Sequence, residues 1–324
     1  MSSTSVSRHP RTTAIVSLLA ATLFWAGNYV VGAAAVHALN PLSLVFLRWA
    51  IAVIPLVVLA QVLERPDWRR VLRAWPWLLA LSAFGLAGYN LLLYAALEHT
   101  DALSAALINA FNPALITLAA VAFLRERLTA AGSLGIVVAL VGVLLVISNG
   151  NLLALATLGP TAGNLLMVAA ICAWTAYTVT GRLAPPLPPI TSTAAQATVA
   201  VVVLGPLAAA TRSLQLPTTA ESAAALAFIA IFPSVLSYLL WNRALTVIPA
   251  GRAGVFLNLI TVFTAVFTLI TGGAFTVAKL VGGVVVLAGV VLTNRTSTRS
   301  AADGRDGLPR HRAGTGSDAE PCRR

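Results

Sequence analysis

Acidic groups are scarce in this chain, and they are missing where chemistry inside a membrane would need them. Only ten Asp and Glu occur in 324 residues, and none falls in the middle of the long apolar runs that fill most of the sequence. The four histidines, His9, His37, His99 and His311, also lie between runs or in the tails. A buried proton relay therefore lacks its usual parts. Cysteine is limited to Cys172, within an apolar run, and Cys322, near the C-terminus, which leaves neither a disulfide framework nor a metal-ligand spacing. There is no nucleotide-binding loop, so ATP is excluded as the energy source, and no cofactor or metal is expected.

What the chain does have is apolar side chain. Hydrophobic residues make up 58% of it and charged ones 10%, a balance no soluble core requires. The implied fold class is an all-α polytopic membrane protein. No charged residue occurs from Leu128 to Gly181. A hydrocarbon core takes about 20 residues per helix, so this interval holds two spans, turned at Asn149-Gly150-Asn151 and Gly159-Pro160. Helical length and periodicity predict ten transmembrane helices, at 13–36, 42–60, 75–97, 102–123, 131–148, 162–181, 191–210, 222–246, 253–271 and 276–293.

Charge sorts with these spans. With the N-terminus inside, 18 of the 21 Arg and Lys fall in cytoplasmic segments, only Arg212 and Lys279 fall outside, and Arg48 lies within a span. Both termini are therefore expected to be cytoplasmic. The formal charge of +11 is a matter of topology, so the expected partner is the lipid bilayer and not nucleic acid. Trp68, Trp75 and Trp77 flank the basic loop before the third span, at headgroup level. Arg8 and Arg11 ahead of the first run imitate a secretory signal. That run extends about 24 residues and contains Trp25, Asn28 and Tyr29, which favours an uncleaved helix. Residues 1–12 read as an N-terminal tail, and 295–324, rich in Gly, Arg, Ser and Asp, as a disordered cytoplasmic tail.

The sequence repeats itself. A shift of 147 positions carries Thr129 onto Thr276, Gly135 onto Gly282, Val137 and Val138 onto Val284 and Val285, Leu140 onto Leu287 and Gly142 onto Gly289. A shift near 149 carries Trp25 onto Trp174. The chain divides into five-helix repeats at 13–149 and 161–294, joined by a loop at 150–160. Five spans per copy force the copies into opposite orientations, giving two inverted repeats. The matched glycines let helices approach closely, so the fifth and tenth spans are a scaffold or the face of a homodimer.

These residues resemble a known family. The duplicated five-helix unit, Trp25-Ala-Gly-Asn28, Arg48, Asn112-Pro113 and the Leu124-Arg-Glu126-Arg-Leu-Thr129 segment are similar to the EamA family of the drug/metabolite transporter superfamily. The resemblance implies a ten-helix carrier of the cell inner (plasma) membrane that exports amino acids, other metabolites or drugs through a central cavity. Where that family has Gly-Glu at the close of the ninth helix this chain has Gly272-Gly273, so Glu126 has no partner copy.

Candidate site residues follow from helical faces. Ser104, Asn109 and Asn112 share one on the fourth span, where Pro113 leaves the carbonyl of Asn109 without its donor. The ninth repeats the design with Asn258, Thr261, Thr264, Thr268 and Thr271. On the eighth, Pro233 frees the carbonyl of Ile229 beside a stripe of Ser234, Ser237, Tyr238, Trp241 and Asn242. The first, third and sixth spans add Trp25 and Asn28, Ser82 and Tyr89, and Met167, Trp174 and Thr178. Asn and Tyr bond a polar solute, while indole rings cover its apolar part or stack on a cation. The substrate-binding expectation thus rests on Trp25, Asn28, Tyr89, Asn109, Asn112, Trp174, Tyr238, Trp241, Asn258 and Thr261, and structural or gating roles fall to Arg48, Pro113, Pro233 and Glu126.

Plainer roles compete at each position. An intramembrane Asn, Ser or Thr often bonds a neighbouring helix or an i−4 carbonyl, an aromatic packs or anchors, and a proline kinks. A charge at Arg48 is costly unless it finds a partner. It is either a tie to carbonyls, Glu98 or Asp101, or a holder of an anionic substrate group. Glu126, between Arg125 and Arg127, reads as a solvated ion-pair residue. The expected function is a secondary transporter for a small-molecule solute, running as facilitated export or exchange or coupled at Glu98 or Asp101. A passive channel, a solute sensor and an intramembrane lipid enzyme are the alternatives, the last without a visible His, Asp, Glu or Cys cluster.

Overall fold

A computed structural model describes residues 9–125, 128–151, 153, 161–248, 253–273 and 275–306. All regular structure among them is helical. Eight helices are long and apolar enough to cross a membrane: α1 (Pro10–Ala35), α2 (Pro41–Glu64), α3 (Trp75–Leu97), α4 (Ala102–Leu124), α5 (Ala130–Ile147), α6 (Ala162–Leu183), α7 (Pro189–Ala210) and α8 (Ala220–Leu245). Two shorter apolar helices follow, α9 (Asn258–Ile270) and α10 (Val277–Thr293). The α9 segment is short because it is preceded by a 3₁₀ turn, Gly254–Leu257, which advances the chain without adding to the α-helix. The α10 helix continues through Asp306, past the edge at 294 given to the tail, but its apolar part stops before Arg295. Glu126, most of the 150–160 connection and the chain ends, 1–8 and 307–324, lie outside the described residues.

Helix starts are capped by short polar side chains, which accept from N–H groups that have no partner within the helix. Asn40 caps α2, Asp101 α4, Thr129 α5, Thr161 α6 and Thr219 α8. Thr276 accepts from the N–H of Lys279 at 3.3 Å, so the repeated pair Thr129 and Thr276 is repeated because both open a helix. The corresponding ends also match. Arg125 after α4 and Gly272 after α9, 147 positions apart, both take the left-handed conformation, at φ 56° and 74°. At α7 the cap comes from elsewhere in the chain. The Glu64 carboxylate accepts from the N–H groups of Ile190 and Thr191 at 2.9 and 2.7 Å and from the Thr191 hydroxyl at 2.6 Å.

Helices at equivalent places in the two repeats pack antiparallel. In α2 and α7, Ser43 bonds Ser213 and Gln215 at one end while Glu64 bonds Ile190 and Thr191 at the other. In α5 and α10, a Cβ on Gly135 would lie 2.5 Å from Thr293 Oγ1, and one on Gly142 would lie 2.5 Å from Val286 N. These two helices touch backbone to backbone through glycines of both. This close approach is the scaffold use expected of the glycine faces. The remaining contacts exchange partners, α1 lying against α8 and α9 while α6 lies against α3 and α4. That exchange is what a twofold relation between the halves produces, and it leaves a space between them.

Four helices lose regular α geometry beside this space. A π-helical stretch occupies Ser82–Tyr89 in α3 and another Phe232–Leu236 in α8. The α4 helix breaks between Asn109 and Asn112, ahead of Pro113, and α9 opens with its 3₁₀ turn. Such interruptions release backbone groups and turn side chains off the helical repeat. They are tolerated at membrane depth only where protein or a cavity covers them.

Candidate functional site: a central polar cavity

The space between the halves is a cavity of about 500 Å³. Every one of the ten residues expected to contact solute lines it: Trp25 and Asn28 from α1, Tyr89 from α3, Asn109 and Asn112 from α4, Trp174 from α6, Tyr238 and Trp241 from α8, and Asn258 and Thr261 from α9. Arg48 and Pro113 are in the wall too, whereas Pro233 is buried behind it.

Two groups of aromatic rings shape the walls. On one side, the ring of Trp25 lies 5.7 Å from that of Tyr238 and 5.4 Å from that of Trp241, and its indole N–H donates to the carbonyl of Pro233 at 3.1 Å. Pro233 thus supplies an acceptor that pins α1 to α8. On the other, Trp174 lies 5.0 Å from both Tyr89 and Tyr177. The Tyr89 hydroxyl shares a hydrogen bond with Tyr29 at 2.9 Å and donates to Asn109 Oδ1 at 3.3 Å.

In the wall of the cavity sits Arg48, 3% exposed. Its Nε donates to Ser234 Oγ at 2.8 Å, and its Nη1 donates to Asn90 Oδ1 at 2.6 Å and to the Tyr94 hydroxyl at 2.7 Å. Ser234 passes its own proton to the carbonyl of Ile229 at 2.7 Å, so the backbone acceptor freed by Pro233 is bonded by the next residue. Tyr94 in turn donates to Asn28 Oδ1 at 2.7 Å. The guanidinium also faces the Trp49 ring at 5.0 Å and the Tyr94 ring at 5.8 Å. This is a tie, but not to the partners expected. Neither Glu98 nor Asp101 reaches Arg48. Asp101 is taken by Lys279 at 2.8 Å and by the N–H and hydroxyl of Ser104 at 3.0 and 2.7 Å. Burial alone would raise its carboxyl, but those three donors and the ammonium charge hold it below the ordinary Asp range.

Some of the polar stripes have structural uses. Ser104 faces Asp101 instead of the cavity. Of the polar stripe on α9, Asn258 and Thr261 reach the wall, and Thr261 also donates to the Ala106 carbonyl of α4 at 3.2 Å. Thr264 and Thr268 return their hydroxyls to carbonyls four residues back. Ser82 donates to the carbonyl of Gln196, and Ser237 to that of Ala21.

Other wall residues escaped the helical-face argument. Tyr29, Asn90, Tyr177, Ser192, Thr193 and Gln196 line the cavity. The π-helical stretch of α3 rotates Asn90 toward Arg48, and the start of α7 is drawn in by Glu64; neither displacement follows from ideal helical spacing. A lone Gln in an apolar run was the one signal available for Gln196. Its Oε1 is the one buried side-chain N or O atom among the described residues with no hydrogen-bond partner. It stands where the central cavity meets a second one, of about 450 Å³, lined by Trp77, Arg182 and Pro185 at the end of the bundle.

A family model described as the EamA-like transporter family matches residues 12–148 and 161–295, both halves of the chain. The chain belongs to the EamA-like transporter family. Among relatives of this EamA chain, an uncharacterized transporter of Bacillus subtilis (strain 168), YyaM, is 33% identical over 218 residues, 66% of this chain and 71% of the relative. An uncharacterized transporter of Archaeoglobus fulgidus is 30% identical over 287 residues, 85% of this chain and 96% of the relative. A solved crystal structure of another protein shares the fold at a TM-score of 0.61 and 20% identity, over 89% of this chain and 100% of that one. With its helices and its relatives, this EamA protein is a multi-pass membrane transporter of the drug/metabolite transporter superfamily.

Proposed function

We propose that the protein is a secondary carrier that exports a small metabolite, amino acid or drug-like solute by alternating access through the central cavity. In this reading ten helices cross the cell inner membrane as two inverted repeats, with both termini cytoplasmic. The antiparallel packing of α2 on α7 and of α5 on α10 supports the inversion, and the Arg-rich connections support the orientation.

The observation that carries the proposal is a central cavity walled by both repeats. Its described lining runs from the layer of Arg48, Asn90 and Asn28 to Leu187 and Pro189, in the connection from α6 to α7. By the positive-inside rule the Leu187 end is the cytoplasmic one. A cavity shared by two halves suits a carrier whose halves rock about it, whereas a pore needs a continuous path. The wall offers amide and phenol groups from both halves, with indole surface for an apolar portion. No carboxylate lines it among the described residues, so facilitated export or exchange is favoured over proton coupling inside the cavity.

Solute counterflow in proteoliposomes tests this. Metabolites that accumulate in a deletion strain and fall on overexpression supply the solutes. A carrier releases labelled solute faster when unlabelled solute is present on the opposite side. Exit at the same rate with or without trans solute sinks the carrier reading in favour of a channel.

A further inference from the structure

The wall of the central cavity carries one formal charge among the described residues, and it is positive. Arg48 has spent Nε and Nη1 on Ser234, Asn90 and Tyr94, all neutral. Its Nη2 has no hydrogen-bond partner among the described residues. Arg48 is 3% exposed and lines the cavity, so the side of the guanidinium left to a ligand is the one facing that space. A buried charge without a counter-charge is unfavourable, and its remaining donors have a stated complement, an anion.

The polarity of the network points the same way. Arg48 can only donate. The Tyr94 oxygen that accepts from it must pass its own proton on, and that proton goes to Asn28. The Asn28 atom facing Tyr94 is therefore the carbonyl oxygen, and the amide NH₂ of Asn28, which has no acceptor among the described residues, is left for the cavity. Asn90 is fixed in the same way, with its oxygen toward Arg48 and its NH₂ on the carbonyl of Leu86 at 2.8 Å. What the Arg48 end of the cavity presents is thus unused donors beside a positive charge, with aromatic surface from Trp25 and Tyr238 also in the wall.

Resting on the carrier reading of the same cavity, we propose that Arg48 and Asn28 bind the carboxylate of an organic acid or zwitterionic solute, and that the cavity discriminates against cations. The tie to Ser234, Asn90 and Tyr94 then serves to hold the guanidinium in place with one edge free.

The test uses three probes with one ring and different ends: phenylacetate, phenylacetamide and phenethylammonium, with chloride as the inorganic control. Each is added to the purified full-length protein in detergent and thermal unfolding is followed. Phenylacetate is expected to raise the midpoint by a few degrees at concentrations where the other three leave it unchanged. Because Arg48→Gln would remove the tie together with the charge, the decisive variant is Asn28→Asp. It keeps the acceptor for Tyr94 and places a carboxylate beside Arg48, so thermal stability without ligand is expected to hold while the phenylacetate requirement rises at least tenfold. Equal protection by the amide or the ammonium compound, protection by chloride alone, protection by none of the three, or unchanged phenylacetate binding in Asn28→Asp overturns the proposal. Failure of counterflow with the charge preference intact would count against the carrier reading alone.

Discussion

Ser234 connects a helix defect to a buried charge. Pro233 cannot bond the carbonyl of Ile229, the Ser234 hydroxyl does so instead, and its oxygen then receives Arg48. Replacing Ser234 with Ala orphans both a carbonyl and one N–H of a guanidinium, at a cost of about 2 kcal/mol. Thermal unfolding of the purified protein should show it as a clear drop in midpoint. Tyr94→Phe keeps the ring against Arg48 but removes the relay to Asn28, with an expected loss of about 1–2 kcal/mol. A destabilisation by Tyr94→Phe well beyond that by Ser234→Ala would mean that the relay is misassigned. At the rim, the Asp101 carboxyl is held below its ordinary value. A group depressed by folding contributes stability that is complete above the unfolded value, about pH 4, and is lost as pH falls through the folded one. The pair with Lys279 is partly exposed, so its contribution is small and screened by salt. Asp101→Asn should therefore leave transport independent of pH between 6 and 8, which rate measurements across that range would check.

Between elements, the decisive contacts are close approaches and borrowed caps. Gly289 sits against the backbone of Ala139 and Gly135. Valine there must force α5 and α10 apart, costing at least about 1–3 kcal/mol by overpacking, and reduced abundance of folded protein is the readout. Glu64→Ala should loosen the start of α7 by leaving the N–H groups of Ile190 and Thr191 unpaired, at about 1–2 kcal/mol. Glutamine retains an acceptor and should restore part of the loss. At this scale the sequence revealed the repeated Thr, Gly and Val residues but not their purposes. Thr129 and Thr276 are caps, and the glycines face one another across the two halves, which no spacing along one strand of sequence specifies.

For the molecule as a whole, the proposed orientation assigns the two ends of the cavity to opposite sides of the membrane. In a background with Cys172→Ser and Cys322→Ser, Leu187→Cys and Asn242→Cys should react with a membrane-impermeant thiol reagent in inverted vesicles and resist it in intact cells. Gln215→Cys, beside Ser43 at the opposite end, should show the reverse. Labelling of all three from one side contradicts the proposed orientation. Solute should shift the protection of Leu187→Cys if the halves move about the cavity, because Leu187 lines both the central cavity and the second one at the end of the bundle.

Hydropathy, charge sorting and the internal repeat determined the class of this protein from its sequence, because burial in lipid constrains composition and length whatever the packing. The faces carrying Trp25, Asn28, Asn109 and Tyr238 were legible for a related reason, since in an apolar helix a polar face has to turn away from lipid. Packing decided the rest. That Arg48 ends on Ser234, Asn90 and Tyr94 and not on Glu98 or Asp101 depends on a π-helical stretch and on contacts 186 and 46 residues apart. Ser104 turns instead to the Asp101 carboxylate, and Thr264 and Thr268 to carbonyls four residues back. Periodicity reports which way a residue faces on its own helix, and only the meeting of helices from two halves fixes what it faces.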